Sequence, residues 1–494
     1  MGERASLIAT LAEPPDDGVL AALPRSVDWL ELRADLCGEV PAAWLRARFP
    51  GRLLYTLRSR GEGGAFEGSL SRRRQRLAAA AAEFDWIDLE AERDLHDPLL
   101  QEVPVEKRVV SWHGPGREAS QLERQFQTMA QVPAALYKLV PLARESSEEV
   151  AALELLVDLG RRDVLCFAAG ESGVWTRYIA PYLGAPILLG AAGAKAGAPG
   201  QPTVARIARD YPFPELPAVD TLYGIVGNPV AHSLSPRLHN GAYRALGIAA
   251  LFVPFGPSSF ADFWLEVIEG NVLGAFAPLV GLSITAPYKS AAAAVAGALS
   301  PLAQSIDSAN TLVLREGVWE GETTDPQGVI GALEAAGIEP RGRRAAVVGC
   351  GGAGRAAAAG LKRAGAETVL VNRTVETGVA VAGALELPFE ALAEFDPARW
   401  DIVVNATSLG HSAGDALAFD PERLAPGAAV VDLVYGEHPT ALLDRVRELG
   451  MVGVDGREVL LHQGMDQFRL MTGRELPVEL GRELLALPAA QRVS

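Results

Sequence analysis

Eight short apolar runs, separated by Ala- and Arg-rich segments of helical character, fill the first 210 residues of the chain. Each run is rich in β-branched or aromatic residues and short enough to be a buried strand. Eight β-then-α units in this length favour a (β/α)8 barrel over an open sheet, and a barrel carries its chemistry at the C-terminal ends of its strands. The predicted strands are Ser6–Leu11, Val27–Leu32, Leu53–Leu57, Trp86–Leu89, Val109–Trp112, Leu136–Val140, Val164–Phe167 and Ile187–Leu189.

Charged and polar side chains cluster at the C-terminal ends of these strands. The sixth strand contains Lys138, the fifth leads to His113 and the seventh to Arg177. A lysine within an apolar strand is unfavourable unless it is paired or neutral, and a neutral amine is a nucleophile for a ketone. Arginine binds carboxylates through paired hydrogen bonds. These residue types together predict a site for an anionic ketone.

Each residue alone has a simpler explanation. A lysine near a strand end more often reaches solvent, and a single histidine is more often a hydrogen-bonded core residue. Their shared position at one end of the predicted barrel is what favours a site. Five other polar residues lie at this end, namely Glu31, Arg33, Arg58, Glu62 and Gln201.

Residues 5–210 resemble type I 3-dehydroquinate dehydratase. The matching motifs are Glu31-Leu-Arg33-Ala-Asp35, Thr56-Leu-Arg58-Ser59, Glu62-Gly63-Gly64, Ser111-Trp-His113, Lys138 and Ala198-Pro-Gly-Gln201. The resemblance implies that Lys138 forms a Schiff base with the substrate ketone, His113 moves the proton and Glu62 orients His113. It also implies that Glu31, Arg33, Arg58, Arg177 and Gln201 hold the substrate. Gly197 stands where the family usually has serine, so one substrate hydrogen bond is expected to be missing or supplied elsewhere.

A proline-rich segment at 211–217 ends the first pattern, because proline removes backbone donors and fixes φ. A new strand is predicted at Thr221–Val226. Farther on, a predicted strand at Arg343–Val348 runs into a glycine-rich turn at 349–354 and a predicted helix at Arg355–Ala364. A strand, a glycine turn and a helix in this order are typical of dinucleotide binding, since the turn and the helix N-terminus bind a pyrophosphate.

Residues 221–490 resemble shikimate dehydrogenase. The motifs are Gly227-Asn-Pro-Val-Ala-His-Ser233-Leu-Ser235-Pro236, Thr285-Ala-Pro-Tyr-Lys289, Ala309-Asn310-Thr311-Leu312, Thr324-Asp325 and the glycine turn. The resemblance implies that Lys289 and Asp325 form the catalytic pair and that Ser233 and Ser235 bind the substrate carboxylate. Thr285, Asn310, Tyr435 and Gln463 would complete the pocket. Ser283, Thr323 and Pro326 replace residues that are more frequent in the family, but the Lys–Asp pair is intact.

The end of the strand after the glycine turn favours NADP(H) over NAD(H). It carries Arg373 and lacks the acid that would bind the ribose hydroxyls of NAD, whereas Thr377 adds no second positive charge. We therefore expect a moderate preference for NADP. The residues expected to contact the cofactor are Gly349, Gly351, Gly352, Ala353, Gly354, Asn372, Arg373, Thr374, Asn405 and Thr407.

We predict an α/β protein with a dehydratase barrel over 1–215 and a Rossmann-like NADP-binding domain over 323–455. A substrate-binding domain would span 218–322 and be completed by 456–494. The implied function is dehydration of 3-dehydroquinate to 3-dehydroshikimate, followed by NADPH-dependent reduction to shikimate. Two alternatives stay open: the second half prefers quinate or another polyol, or one half is a decayed, non-catalytic domain.

Charge and cysteine content narrow the partners. The chain has 45 Lys and Arg against 61 Asp and Glu, so its formal net charge of −16 argues against nucleic acid or anionic membrane as the main partner. Cys37, Cys166 and Cys350 are too far apart to suggest a disulfide framework or a zinc site. We expect a cytoplasmic enzyme without a metal; the sequence does not indicate its oligomeric state.

Overall fold

The computed structural model describes residues 3–95, 98–412, 414–436 and 438–488. The chain divides into two compact units. Met1–Leu222 and Gly247–Leu279 form the first, and Tyr223–Leu246 and Val280–Ser494 form the second. The domain boundaries predicted from the sequence stay predictions.

The first unit contains the predicted barrel of parallel strands. Neighbouring strands follow the order β7-β6-β5-β4-β3-β2-β1-β8, with the bounds β1 Ser6–Leu11, β2 Val27–Arg33, β3 Arg52–Thr56, β4 Trp86–Glu90, β5 Arg108–Pro115, β6 Leu136–Leu142, β7 Val164–Cys166 and β8 Ile187–Ala191. Every predicted strand is present, which confirms the barrel. The largest difference is in β5, which runs three residues past Trp112 because its ladder with β6 continues to Pro115 and Leu142. His113 therefore lies within a strand.

Short helices follow the barrel strands. Ala119–Met129 buries Leu122, Phe126 and Met129, which share one helical face and pack towards the strands. The last helix of the barrel ends at Asp210, directly before the proline-rich segment, as the sequence predicted. The helices are Asp17–Ala21, Ala34–Cys37, Ala42–Arg46, Leu70–Glu83, Leu99–Glu102, Ala119–Met129, Ser146–Leu159, Val174–Ile179 and Val204–Asp210.

The proline-rich segment itself forms a strand at Glu215–Leu216, which pairs antiparallel with Glu3–Arg4. Residues 247–279 also belong to the first unit, although the sequence placed them in the substrate-binding domain. Within this segment, the Phe255 ring lies 5.2 Å from the ring of Trp175 on a barrel helix. Phe255 and Trp175 are both fully buried, so this contact forms part of the first unit's core.

The second unit begins with a mixed sheet. The adjoining strands are, in spatial order, β9 Thr221–Val226, β11 Leu279–Ile284, β13 Thr311–Arg315, β14 Val318–Glu322 and β12 Ala298–Leu299, and β10 is Ala250–Phe255 of the first unit. β13 runs antiparallel to both β11 and β14. The accompanying helices are Ser235–Leu246, Lys289–Val295, Pro301–Ile306, Gly456–Thr472 and Val478–Leu484.

A six-stranded parallel sheet follows, in the order β17-β16-β15-β18-β19-β20. Its strands are β15 Arg344–Val348, β16 Glu367–Asn372, β17 Phe389–Ala391, β18 Ile402–Asn405, β19 Ala429–Asp432 and β20 Val452–Val454, and its helices are Asp325–Ala335, Gly352–Arg363, Val375–Ala384 and Ala441–Glu448. This is the strand order of a Rossmann fold, whose ligand crevice lies between the first and fourth strands, here β15 and β18. The glycine turn follows β15 at that point.

The helix after the turn begins at Gly352, three residues before the predicted start. Gly352, Ala353 and Gly354 therefore form its first turn, where backbone N–H groups have no intrahelical partner. Across the part of the chain that the structure describes, no helix is both long enough and apolar enough to cross a membrane.

Candidate active sites

A cavity of about 400 Å³ opens at the C-terminal ends of the barrel strands. All eight residues that the sequence singled out in this half line it: Glu31, Arg33, Arg58, Glu62, His113, Lys138, Arg177 and Gln201. They lie on different strands and loops, and they meet because parallel strands in a barrel end on the same face.

Lys138 lies in the middle of β6, and its side chain is only 7% exposed. Its Nζ is 3.7 Å from Glu31 Oε1 and 3.7 Å from Asp88 Oδ2. Glu31 is itself held by the hydroxyls of Thr10, at 2.7 Å, and Thr56, at 2.9 Å. The amine thus faces the cavity between two fixed carboxylates.

Arg58 lies at the centre of a buried cluster of acids. Its guanidinium donates to Glu62 at 2.9 Å, Ser111 Oγ at 2.9 Å and Asp88 at 2.7 Å. Burial alone would raise the pKa of Asp88, but the positive charges of Arg58 and Lys138 lower it below its ordinary value. Much of Arg58's hydrogen-bonding capacity is used within the protein, so its predicted contact with substrate stays a prediction.

Arg177 differs from Arg58 because it has no acid partner. Its guanidinium lies 4.0 Å from the centre of the Phe167 ring, and its buried Nε makes no hydrogen bond. Burial lowers the pKa of Arg177 to about 10. Within the described residues no carboxylate comes within ion-pair distance of it, so this cation is available to an anionic ligand.

His113 and Glu62 form a close pair. Glu62 Oε2 lies 3.0 Å from His113 Nδ1 and accepts the His113 backbone N–H at 3.1 Å. Burial, together with the charges of Arg58 and Lys138, lowers the pKa of His113 well below its ordinary value. Burial raises the pKa of Glu62, although Arg58 opposes this shift. Both shifts favour uncharged forms, and an uncharged imidazole is the form that accepts a proton.

The loop that carries Gly197 closes over this cavity. Gln201 Oε1 accepts the Gly197 N–H at 2.9 Å, Gln201 Nε2 donates to Thr10 Oγ1 at 3.0 Å, and Arg33 binds the Gly197 carbonyl. A Cβ at position 197 would lie 2.7 Å from Thr10 Cγ2. Glycine therefore permits the close contact with Thr10, a pocket residue that sequence reasoning missed although it ends the first polar-tipped strand.

The second unit has a smaller polar site built around Lys289 and Asp325. Lys289 Nζ donates to Asp325 Oδ2, while Asn310 Nδ2 donates to Asp325 Oδ1 at 2.7 Å. Asp325 begins the helix Asp325–Ala335, where a carboxylate is favoured by the helix dipole. The predicted pair therefore meets, and a third predicted residue fixes its carboxylate.

Gln467 supports Asn310 and was not singled out from the sequence. Its Nε2 donates to the Asn310 carbonyl and to Thr311 Oγ1, each at 3.1 Å, and its Oε1 accepts from Ser283 Oγ at 2.9 Å. Ser283 is one of the departures from the family pattern, and its hydroxyl serves this network. The spacing of Gln467, one helical turn beyond Gln463, was the available signal. Gln463 Oε1 lies 3.5 Å from Asn310 Nδ2.

The remaining predicted substrate residues lie in loops and helix starts of the same unit. Ser235 begins the helix Ser235–Leu246, and its backbone N–H donates to Ser233 Oγ at 3.2 Å. Thr285 follows β11, and its side chain packs against Gly227, where a Cβ would meet Thr285 Cγ2 at 2.2 Å. Tyr435 lies in the loop after β19. Their contacts with a substrate stay predictions.

The glycine turn fits a dinucleotide. Gly349 has φ +109°, and a Cβ there would lie 2.8 Å from the Ala406 carbonyl, so the fold itself requires this glycine. A Cβ at Gly354 would clash with the Gly349 carbonyl, whereas one at Gly351 would meet nothing within 4 Å. The helix begins without a side-chain cap, which leaves its first N–H groups for an anion. The open space at Gly351 is where a pyrophosphate can approach the backbone.

The other predicted cofactor residues surround this turn. Arg373 and Thr374 are exposed just after β16, and Asn372 Nδ2 donates to the Thr374 carbonyl at 2.9 Å. Asn405 is fully buried; it donates to Asp432 at 2.8 Å and accepts from the Thr407 N–H at 3.1 Å. Asn405 thus fixes the loop that carries Thr407. Among the described residues no set of His, Cys, Asp or Glu side chains is arranged to hold a metal ion.

Comparisons with known families agree with this geometry. The family model described as type I 3-dehydroquinase matches residues 9–215, that of the shikimate dehydrogenase substrate binding domain matches 225–312, and that of the shikimate 5'-dehydrogenase C-terminal domain matches 456–486. A lyase-type barrel thus precedes a dinucleotide-dependent dehydrogenase in one polypeptide. The chain belongs to the shikimate dehydrogenase family, with a type I 3-dehydroquinase domain ahead of the dehydrogenase.

Three relatives illustrate this. A bifunctional 3-dehydroquinate dehydratase/shikimate dehydrogenase of Arabidopsis thaliana, named as chloroplastic, is 28% identical over 92% of this chain and 80% of its own length. The NADP(+) shikimate dehydrogenase of Natronomonas pharaonis is 41% identical over 53% of this chain and 98% of its own. The crystal structure of shikimate dehydrogenase from Aquifex aeolicus is 30% identical, with a TM-score of 0.50 over 54% of this chain and 97% of that one. Both resemblances predicted from the sequence are confirmed.

Proposed function

We propose that the chain is a bifunctional enzyme that dehydrates 3-dehydroquinate to 3-dehydroshikimate and then reduces this product to shikimate with NADPH. The observation that carries the proposal is that each unit holds its own reactive lysine with the partner its reaction needs. Lys138 shares a cavity with His113 and an unpaired Arg177, whereas Lys289 is paired with Asp325.

In the barrel, the Lys138 amine attacks the substrate ketone and a carbon–nitrogen double bond forms with loss of water. His113 then takes a proton from the carbon next to this imine. The proton passes to the departing hydroxyl group, which leaves as water, and hydrolysis of the imine frees Lys138 and the product. Glu62 is suited to hold His113, since one of its oxygens contacts both the ring and the backbone of that residue.

Arg177 is suited to bind the substrate carboxylate, because it is a buried cation without an acid of its own. A bidentate contact would then supply the hydrogen-bond partner that its Nε lacks. Glu31, Arg33 and Gln201 line the same cavity and would contact the hydroxyl groups.

In the second unit, NADPH supplies a hydride to the carbonyl carbon when it is bound. Lys289 is placed to give a proton to the carbonyl oxygen, and Asp325, fixed by Asn310, holds the Lys289 ammonium in position. Gly351, Gly352 and Ala353 would bind the pyrophosphate and Arg373 the 2′-phosphate of the cofactor.

Several sequence-based expectations remain part of this proposal. The substrates 3-dehydroquinate, 3-dehydroshikimate and shikimate, the domain boundaries at 215, 218, 322 and 455, and a cytoplasmic location are all proposed on the sequence and the family. Expression of 1–215 and 218–494 as separate fragments tests the boundaries: each fragment should retain its own activity, and two inactive fragments would contradict the division.

Two lysine variants test the function. Lys138→Ala should lose dehydration of 3-dehydroquinate and retain reduction of 3-dehydroshikimate, and Lys289→Ala should show the reverse. Both activities are measured separately in each purified variant and in the parent. Loss of both activities in either variant, or of neither, would contradict the assignment of one reaction to each unit.

A further inference from the structure

Arg144 follows β6 and lines the mouth of the barrel cavity, yet neither the family motifs nor the sequence pattern singled it out. Its side chain is exposed, unlike those of the other cations that line this cavity. The backbone of Arg144 is fixed, since its N–H donates to Glu148 Oε2 at 2.7 Å and its carbonyl accepts from Ser258 Oγ at 3.4 Å. The position of the residue at the rim is therefore well defined.

The charges of the cavity lining are otherwise nearly all committed. Arg33 is paired with Asp35, Arg58 with Glu62 and other acids, and Lys138 lies between Glu31 and Asp88. Arg177 is unpaired but lies deep in the wall. Arg144 is the second lining cation that makes no ion pair within the residues the structure describes. The cavity thus has one free positive charge inside and one at its entrance.

This matters because the protein as a whole repels anions. Its formal net charge is −16, so an anionic substrate approaches against the average field of the surface. A cation at the mouth of a concave, low-dielectric cavity counteracts this repulsion locally, because field lines are focused there. Glu148, the acid in direct contact with Arg144, binds the backbone N–H of Arg144 rather than its guanidinium.

We propose that Arg144 is a substrate-capture residue of the dehydratase: it attracts the carboxylate of the incoming substrate electrostatically and takes no part in the chemical step. The inference rests on the proposed dehydratase function. It assigns Arg144 a role that depends on charge, not on a fixed hydrogen-bonding geometry.

The test compares kcat and kcat/KM for 3-dehydroquinate in the parent, Arg144→Gln, Arg144→Glu and Arg144→Lys. Neutralisation should lower kcat/KM by about two- to fivefold at low ionic strength, the scale of an exposed charge pair, and reversal should lower it by roughly the square of that factor. Lysine should restore the parent value, and kcat should be unchanged in all variants.

Salt dependence provides the signature that a structural role would not give. The difference between parent and Arg144→Gln should shrink as salt rises from about 0.01 M to about 0.5 M, because the Debye length falls from about 30 Å to a few ångströms. Arg124→Gln is the matched control: Arg124 is exposed on the helix Ala119–Met129, is not among the cavity-lining residues, and its loss changes the net charge equally.

Each outcome decides. Equal effects of Arg144→Gln and Arg124→Gln, a reduced kcat, failure of lysine to restore kcat/KM, or a loss that does not respond to salt would overturn the proposal. A parent that does not dehydrate 3-dehydroquinate would instead contradict the proposed function, so the two failures are distinguishable.

Discussion

The two candidate sites solve their electrostatic problems differently. Around Lys138 and Arg58 the barrel buries a dense set of charges, and the side chains of Arg58 and Asp88 are 3% and 1% exposed. The second site has one ion pair, Lys289 with Asp325, at 14% and 10% exposure, supported by neutral amides and hydroxyls. Buried charges are costly unless each is matched, so the barrel needs its whole cluster, whereas one proton donor with a neutral frame suffices in the second site.

This contrast predicts how each site responds to substitution. In the barrel, removal of one member leaves a buried partner unmatched, which costs about 3–5 kcal/mol in comparable ion pairs. In the second site, a substitution should act mainly on turnover. The following predictions test this difference in order of decreasing effect.

Replacement of Lys138 should have the largest effect. Lys138→Ala removes the only atom that can form the covalent intermediate, so dehydration should fall by about 10⁴-fold or more. Borohydride added to the parent with 3-dehydroquinate should fix a mass adduct on the peptide containing Lys138. Lys195→Ala, which alters an exposed lysine in the loop that carries Gly197, is the control and should retain both the adduct and the activity. An adduct on Lys195 would contradict the assignment.

His113→Ala should lower kcat of the dehydratase by about 10²- to 10⁴-fold, the range for a positioned acid–base group, while borohydride still traps the imine slowly. Because burial and nearby cations lower the pKa of His113, the parent's kcat/KM should not decline on the acidic side until the pH is below about 6.5, the ordinary histidine value. A pH profile that falls already above this value would show that the imidazole is not the titrating base, or that its surroundings differ.

Lys289→Ala should lower kcat of shikimate oxidation by about 10²- to 10⁴-fold and change shikimate binding much less, since a proton donor acts mainly on the transition state. Lys362→Ala is the matched control, because Lys362 contacts only the carbonyls and carboxylate at the end of a surface helix. Thermal unfolding should hardly change, in contrast to substitutions within the barrel cluster. A raised KM with normal kcat would mean that Lys289 only binds substrate.

Arg373→Ala should narrow the preference for NADP over NAD by about ten- to 150-fold, the value of one charge-assisted hydrogen bond. The parent's preference should be moderate, because Thr377 supplies no second charge. The measurement is kcat/KM with both cofactors for both proteins. A parent that favours NAD, or a variant that keeps the parent's ratio, would contradict the role of Arg373.

Phe167→Leu should raise KM for 3-dehydroquinate by about two- to thirtyfold, because the ring lies 4.0 Å from the Arg177 guanidinium and holds it in the cavity wall. Phe167→Tyr keeps an aromatic face and should stay close to the parent. Equal KM values in all three proteins would show that Arg177 is positioned without the ring.

The sequence predicted the framework and most of the candidate site residues, and the reasons differ by element. Strand positions follow from apolar runs that are buried on both sides, so all eight barrel strands were located to within a few residues. Asp88 was missed because it occurs inside a strand, although the alternation of Asp88 and Glu90 in Trp86–Glu90 was a signal that both acids face the barrel interior.

Other features depend on contacts that no local pattern encodes. The grouping of 247–279 with the first unit arises from tertiary packing such as that of Phe255 with Trp175. The requirement for glycine at position 197 comes from Thr10, which is 187 residues away along the chain (197 − 10 = 187). The early start of the helix at Gly352 reflects tight packing of Gly354 on Gly349, whereas helix propensity alone disfavours glycine there.

A coupled assay tests the central claim, that one chain performs two consecutive reactions at two separate sites, most directly. Purified full-length protein is mixed with 3-dehydroquinate and NADPH as the only reactants, and NADPH oxidation and shikimate formation are followed together. The parent should oxidise one NADPH for each shikimate formed; Lys138→Ala should do so only when 3-dehydroshikimate replaces 3-dehydroquinate, and Lys289→Ala should accumulate 3-dehydroshikimate without oxidising NADPH. A parent that consumes no NADPH from 3-dehydroquinate, although it reduces added 3-dehydroshikimate, would contradict the claim.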